Sequence, residues 1–118
     1  MSDLLQIQID RVEPDITVVT FAGKIVMGPD SLEIENLLAS LLKKDEKKVV
    51  FDLSRVFYID SSGLGVIANC FNKLQRIGGG LRIAGAGGKI RGLFKTTRLD
   101  TVLPFYPGVS DATRDFNV

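Results

Sequence analysis

Val49-Val50-Phe51-Asp52-Leu53, followed closely by Asp60-Ser61-Ser62-Gly63-Leu64-Gly65, decides the fold of this chain. The first stretch is apolar and rich in β-branched residues, as a buried strand requires. Leu64 opens a run with helical spacing that continues at Ile67, Phe71 and Leu74. The hexapeptide therefore sits where a strand, after a short loop, turns into a helix. Three consecutive residues of N-cap type stand there, although one satisfies a helix start. Gly63 and Gly65 occupy the first turn, where each costs about 1 kcal/mol relative to Ala. Such a cost points to bare backbone held close to something. Two hydroxyls and a carboxylate at the positive end of a helix mark a place where a phosphate is set down or read. A purely structural account stands beside this one: three caps, and two glycines for close packing of helix on sheet.

Outward from that junction the pattern gives alternating strands and helices. Residues 4–10 alternate apolar and polar, a half-buried strand, and Val12-Glu13-Pro14-Asp15 makes a turn. Residues 16–21 form a second strand ending at Gly23, so the pair makes an antiparallel hairpin. Met27-Gly28-Pro29 breaks the chain, and Asp30-Ser31 caps a helix with Glu33 as capping-box partner. Ile34, Leu37, Leu38 and Leu41 share one face of that helix, and Lys43-Lys44 ends it. Gly78-Gly79-Gly80 stops the second helix, and Leu81-Arg82-Ile83-Ala84 is a short strand. Gly85-Ala86-Gly87-Gly88 turns into a third helix carrying Ile90, Leu93 and Phe94. Val102-Leu103-Pro104-Phe105 reads as an edge strand, where Pro is tolerated, and residues 110–116 as a short last helix. The order is β-β-α-β-α-β-α-β-α. Right-handed crossovers between neighbouring strands put the helices mainly on one face of a single, mostly parallel sheet. The fold class is α/β, and residues 1–118 form one domain.

Composition narrows the function. With 118 residues, 45% hydrophobic and 25% charged, the chain is an ordinary globular domain. Its net charge of +1 carries no basic tail, and Lys43-Lys44 and Lys47-Lys48 flank a helix end, where cations complement the dipole. Two Tyr and no Trp leave few platforms for stacking bases, so no nucleic-acid partner is expected. The start, Met1-Ser2-Asp3-Leu4, lacks the basic and apolar regions of a signal peptide, and no apolar run nears the roughly 18 residues of a membrane span. A cytoplasmic protein with no direct membrane insertion is expected. Cys70 stands alone in the second helix and reads as a small buried hydrophobe; no metal-ligand spacing exists. There is no histidine, which removes the usual Ser-His-Asp nucleophile and a pH switch near neutrality. A serine hydrolase is disfavoured, and no cofactor is called for. Gly85-Ala86-Gly87-Gly88-Lys89 fails the P-loop pattern because Ile90 stands where Ser or Thr must follow the Lys.

The junction and its surroundings resemble the STAS domain, the fold of bacterial anti-sigma factor antagonists. Val50-Phe51-Asp52-Leu53 and Ile59-Asp60-Ser61-Ser62-Gly63-Leu64-Gly65-Val66 carry the likeness, with Ile77-Gly78-Gly79, Leu93-Phe94 and Leu99 at the family's spacing. It extends from about Ile7 to Ala112. The resemblance implies a phosphorylation-switched regulatory binding protein that performs no catalysis. In such antagonists the Ser after the motif Asp is phosphorylated by a partner that is both serine kinase and anti-sigma factor. The unphosphorylated form binds that partner and frees the sigma factor; a phosphatase restores it.

Carried over, Ser61 is the acceptor. Asp60, Ser62, Gly63, Leu64 and Gly65, with Val26 and Met27, make up the motif neighbours and the partner-binding surface. Many relatives place an acidic residue where Val26 stands, and the tail after Ser110 is short for the family's last helix. Phe57, Tyr58 and Ile59 cannot all face the core from a short loop; either one or more lines the partner surface, or the loop packs on itself. The rival expectation is a non-catalytic STAS subunit of a larger assembly, such as a membrane lipid transporter or a stress-sensing complex, with the motif serving as caps.

Overall fold

The computed structural model describes residues 4–117; Met1, Ser2, Asp3 and Val118 of the expected single domain lie outside the described residues. Strand β1 (Gln6–Val12) and strand β2 (Ile16–Ile25) form the antiparallel hairpin, with Ile7 opposite Phe21 and Val12 opposite Ile16. Helix α1 (Pro29–Lys43) leads to strand β3 (Lys48–Ile59), and helix α2 (Ser61–Arg76) leads to strand β4 (Gly80–Ala84). Helix α3 (Gly88–Thr96), a 3-10 turn (Leu99–Thr101), strand β5 (Phe105–Tyr106) and helix α4 (Val109–Thr113) complete the chain. The sheet order is β1-β2-β3-β4-β5, parallel from β2 onward, which is the expected α/β class.

Helices α1, α2 and α3 cover one face. Ile34, Leu38 and Leu41 of α1 and Leu64, Ile67, Cys70 and Leu74 of α2 meet Val19, Phe21, Phe51 and Leu53 from the sheet. Phe21 and Phe51 pack edge to face at 5.0 Å. Fully burying one Leu or Ile stabilises by about 1.5–3 kcal/mol, so the α2 stripe alone holds that helix firmly. Burial pushes the Cys70 thiol up to about 12, which keeps it unreactive as a thiolate.

The last helix lies on the opposite face, because no further strand follows it and the crossover rule does not bind it. There Ala112 and Phe116 pack on Ile16, Val18, Val50 and Ala84. Arg82 fixes this end: its guanidinium donates to the carbonyls of Ala112 (3.1 Å), Arg114 (2.9 Å) and Asp115 (3.1 Å) and lies over the Phe116 ring.

Several boundaries differ from the sequence reading: β1 falls at Gln6–Val12, with Val12 in the strand, and β2 runs past Gly23 to Ile25. Strand β3 does not stop at Leu53; it runs through Ile59 with no loop before Asp60. It is paired with β2 to Ile25↔Ile59, and it carries two residues more than β2 between Thr20↔Asp52 and that last pair. These are β-bulges, and they leave Leu53, Val56 and Ile59 inward at intervals of three instead of two. Helix α1 is not capped by Asp30 or Ser31. Gly28, at φ +103°, takes the cap position, Pro29 follows as the first helical residue, and both polar side chains reach back to Val26. Strand β5 falls at Phe105–Tyr106, after Pro104, because Val102 and Leu103 finish the 3-10 turn. Helix α4 is one residue earlier and shorter than expected.

The base of the hairpin is tied to the α1–β3 turn by charge. Arg11 grips Glu46 through two hydrogen bonds, at 3.0 and 2.8 Å, and the buried Thr17 hydroxyl donates to the same carboxylate at 2.6 Å. First the Arg11 bonds and then the Thr17 bond hold the Glu46 carboxyl below its usual range.

Two glycines of the α2 first turn differ sharply. A Cβ on Gly63 would lie 2.5 Å from the Ile25 carbonyl oxygen and 2.7 Å from Ile59 Cγ2, whereas one on Gly65 meets nothing within 4 Å. Gly63→Ala is therefore expected to destabilise by about 1–3 kcal/mol through overpacking. Gly65→Ala is expected to stabilise by about 0.5–1 kcal/mol, the helix propensity of Ala over Gly. Urea unfolding of the two variants reads both signs. For Glu46, a depressed folded pKa adds stability that is full above the ordinary glutamate value of about 4.3 and fades as pH falls through the lower folded value. The wild-type advantage over Glu46→Gln should thus be constant near neutrality and vanish along the acid limb. Equal acid limbs in the two proteins would show that the pair does not contribute.

Candidate functional site

The first turns of α1 and α2 lie at the same end of the sheet, where the parallel strands finish. Asp60 is the N-cap of α2, with extended backbone, and its Oδ1 accepts from the Gly63 N–H at 2.8 Å. Its carbonyl accepts from the Leu64 N–H at 2.9 Å. Capping therefore uses Asp60 alone of the three candidates. Ser61 and Ser62 are the first two helical residues; Ser61 is exposed and Ser62 half-buried. Among the described residues, the N–H groups of Ser61 and Ser62 have no hydrogen-bond acceptor in the protein. Two backbone donors at the positive end of a sixteen-residue helix thus stand beside an exposed hydroxyl.

The loop at Val26 and Met27 and the motif that starts at Asp60 do come together. The Met27 N–H donates to Asp60 Oδ2 at 2.9 Å, and the Asp60 N–H donates to the Ile25 carbonyl at 3.1 Å. Met27 is 71% exposed and Leu32 on α1 is exposed as well, so this end carries an apolar surface. Val26 is half-buried. Gly63 and Leu64, expected on the partner surface, are buried; their part is to seat α2 on the sheet. Gly65 faces open space with no neighbour inside the protein, so its cost has no explanation in the packing of the chain itself.

Of the three residues before the motif, Ile59 is in the core, while Phe57 and Tyr58 are 50% and 41% exposed. Phe57 is the extra residue of the second bulge, which turns it out of the sheet's regular alternation. Local pattern does not mark these residues as strand, nor does it reveal the Asp60–Met27 bond, whose partners are 33 residues apart.

The glycine-rich stretch from Gly85 to Gly88 is a strand-to-helix turn between β4 and α3, with Gly87 at the cap position. No group of three or more His, Cys, Asp or Glu able to hold a metal ion occurs among the described residues. No helix among them is long and apolar enough to cross a membrane.

Sequence and structure comparisons agree with this geometry. BtrV of Bordetella bronchiseptica, a candidate anti-sigma factor antagonist, is 25% identical over 100 residues, 85% of this chain and 84% of BtrV. YvdB of Bacillus subtilis, a candidate sulfate transporter, is 28% identical over 92 residues; these cover 75% of this chain but 17% of YvdB. The crystal structure of a candidate anti-sigma factor antagonist from Thermotoga maritima superposes with a TM-score of 0.85 over 93% of each chain, at 24% identity, a likeness of fold. The sequence pattern of the STAS domain itself matches residues 8–112, from β1 to α4, with the Asp60 junction at its centre, and the chain belongs to the STAS domain family.

Proposed function

We propose that this chain is a non-catalytic binding protein of the anti-sigma factor antagonist kind, switched by phosphorylation of Ser61. The observation that carries the reading is the exposed Ser61 hydroxyl at the first position of α2, beside two backbone N–H groups without acceptors. A phosphoryl group brings about −1.5 to −2 of charge and strong acceptor oxygens. At this position those oxygens meet the helix dipole and the N–H groups of Ser61 and Ser62, so the modified chain keeps its fold. The Asp60 carboxylate opposes the new charge, but both of its oxygens already accept backbone N–H groups. A partner surface fitted to a neutral Ser61 then faces added bulk and an unpaired charge, which costs several kcal/mol at a closed interface.

The partner in this reading is a serine kinase that doubles as anti-sigma factor, with a phosphatase acting on phosphorylated Ser61. Both would meet the chain in the cytoplasm, without nucleic acid or membrane insertion. Similarity to BtrV over most of both chains supports it. A second reading, a STAS subunit of a larger assembly, draws on the likeness to one part of the YvdB transporter. In that case the same helix face binds constitutively.

Affinity capture from native lysate separates the two. Wild-type, Ser61→Ala and Ser61→Asp baits, each first shown to be folded, are compared side by side. Wild-type and Ala baits are expected to retain an ATP-binding regulator that the Asp bait loses by at least tenfold. The purified regulator should transfer one phosphoryl group from ATP to wild-type chain and none to Ser61→Ala. Equal retention of one partner by all three baits would move Ser61 to a purely structural role and favour the assembly-subunit reading.

A further inference from the structure

Consecutive backbone groups in the loop between β2 and α1 are held on both sides. The Ile25 carbonyl accepts from the Asp60 N–H. The Val26 N–H donates to Asp30 Oδ2 at 3.2 Å, and the Val26 carbonyl accepts from Ser31 Oγ at 3.3 Å. The Met27 N–H donates to Asp60 Oδ2, and the Gly28 carbonyl accepts the first bond of α1, from the Leu32 N–H. What this pinned backbone presents to solvent is the Met27 side chain. An unbranched thioether suits an irregular apolar partner surface, because it repacks at little cost.

The cap chemistry is selective in a way that capping alone does not require. Ser, Thr or Asn accepts from a helix N–H about as well as Asp. Asp60, however, receives two N–H groups, from Gly63 on Oδ1 and from Met27 on Oδ2. Asn offers one acceptor and a donor, and Ser a single oxygen, so only a carboxylate serves both positions. Ser61 Oγ has no hydrogen-bond partner among the described residues, which leaves the hydroxyl outside this arrangement.

We propose that Asp60 is a positioning residue: its second oxygen latches the Met27 backbone to the start of α2, holding the Met27 side chain as an apolar anchor beside Ser61 for the protein partner. The anchor role rests on the reading of Ser61 as the docking site; the latch itself does not.

The test uses ¹⁵N-labelled full chain as wild-type, Asp60→Asn and Asp60→Ser. Both variants retain an oxygen for the α2 cap and lose an acceptor for Met27. Amide exchange at Met27 is expected to rise by about tenfold or more in both, the loss of one hydrogen bond to a charged group, while buried β3 amides stay protected. Unchanged exchange at Met27 in the folded variants overturns the latch. With the regulator captured by wild-type chain, Met27→Ala and Asp60→Asn are each expected to weaken binding by about tenfold, and the double variant by little more than either. Fully additive losses overturn the coupling between the two residues. If wild-type chain captures no such regulator, the Ser61 reading and the anchor role fall together, and the exchange rates alone decide the latch.

Discussion

The first turn of α2 reaches the end of β2 only because residue 63 has no side chain. The space a Cβ would need there is filled by the Ile25 carbonyl and the Ile59 side chain. This contact sets the height of α2 over the sheet, brings the Asp60 backbone to the Ile25 carbonyl, and leaves Ser61 turned outward. A longer separation would strain the bond from the Met27 N–H to Asp60 Oδ2, at 2.9 Å, while the Gly63 bond, internal to the cap, would stay.

The molecule thus divides its work between two faces of one sheet. On one, α1, α2 and α3 build the large core, with their N-termini gathered at the end where the parallel strands finish. On the other, α4 is secured by Arg82, which reaches three carbonyls at once. The site lies at an edge of the first layer and borrows nothing from the second. Ser61 therefore stands exposed at the start of a helix whose inner stripe is seated on the sheet.

Much of this was legible in the chain. Leu64, Ile67 and Leu74 announced α2 by their spacing, and the right-handed crossover rule placed three helices on one face. The Asp60 junction stood out through its excess of capping residues and its glycines. Other features had no local signature. Residues 54–59 were hidden as strand because two bulges break the alternation that identifies one. Asp30 and Ser31 looked like caps by type, but Gly28 at positive φ takes that place and frees them to hold Val26. Gly63 and Gly65 are identical on paper, yet one fills a gap of no width and the other faces open space. The Asp60–Met27 bond joins residues distant in sequence, and only the sheet pairing of β2 with β3 sets them side by side.

That pairing also works as a gauge of length. Strand β3 spends two more residues than β2 to travel from Thr20↔Asp52 to Ile25↔Ile59. Each residue advances a strand by about 3.3 Å and reverses the face its side chain addresses. The bulges absorb that surplus so that Ile59 ends level with Ile25 and Asp60 emerges at the correct height. Shortening β3 by a single residue would draw the motif back along the sheet and present its hydroxyls to the wrong side. The irregular stretch ahead of the motif is thus a calibrated spacer, and its two extra residues are as much a part of the site as the serine they deliver.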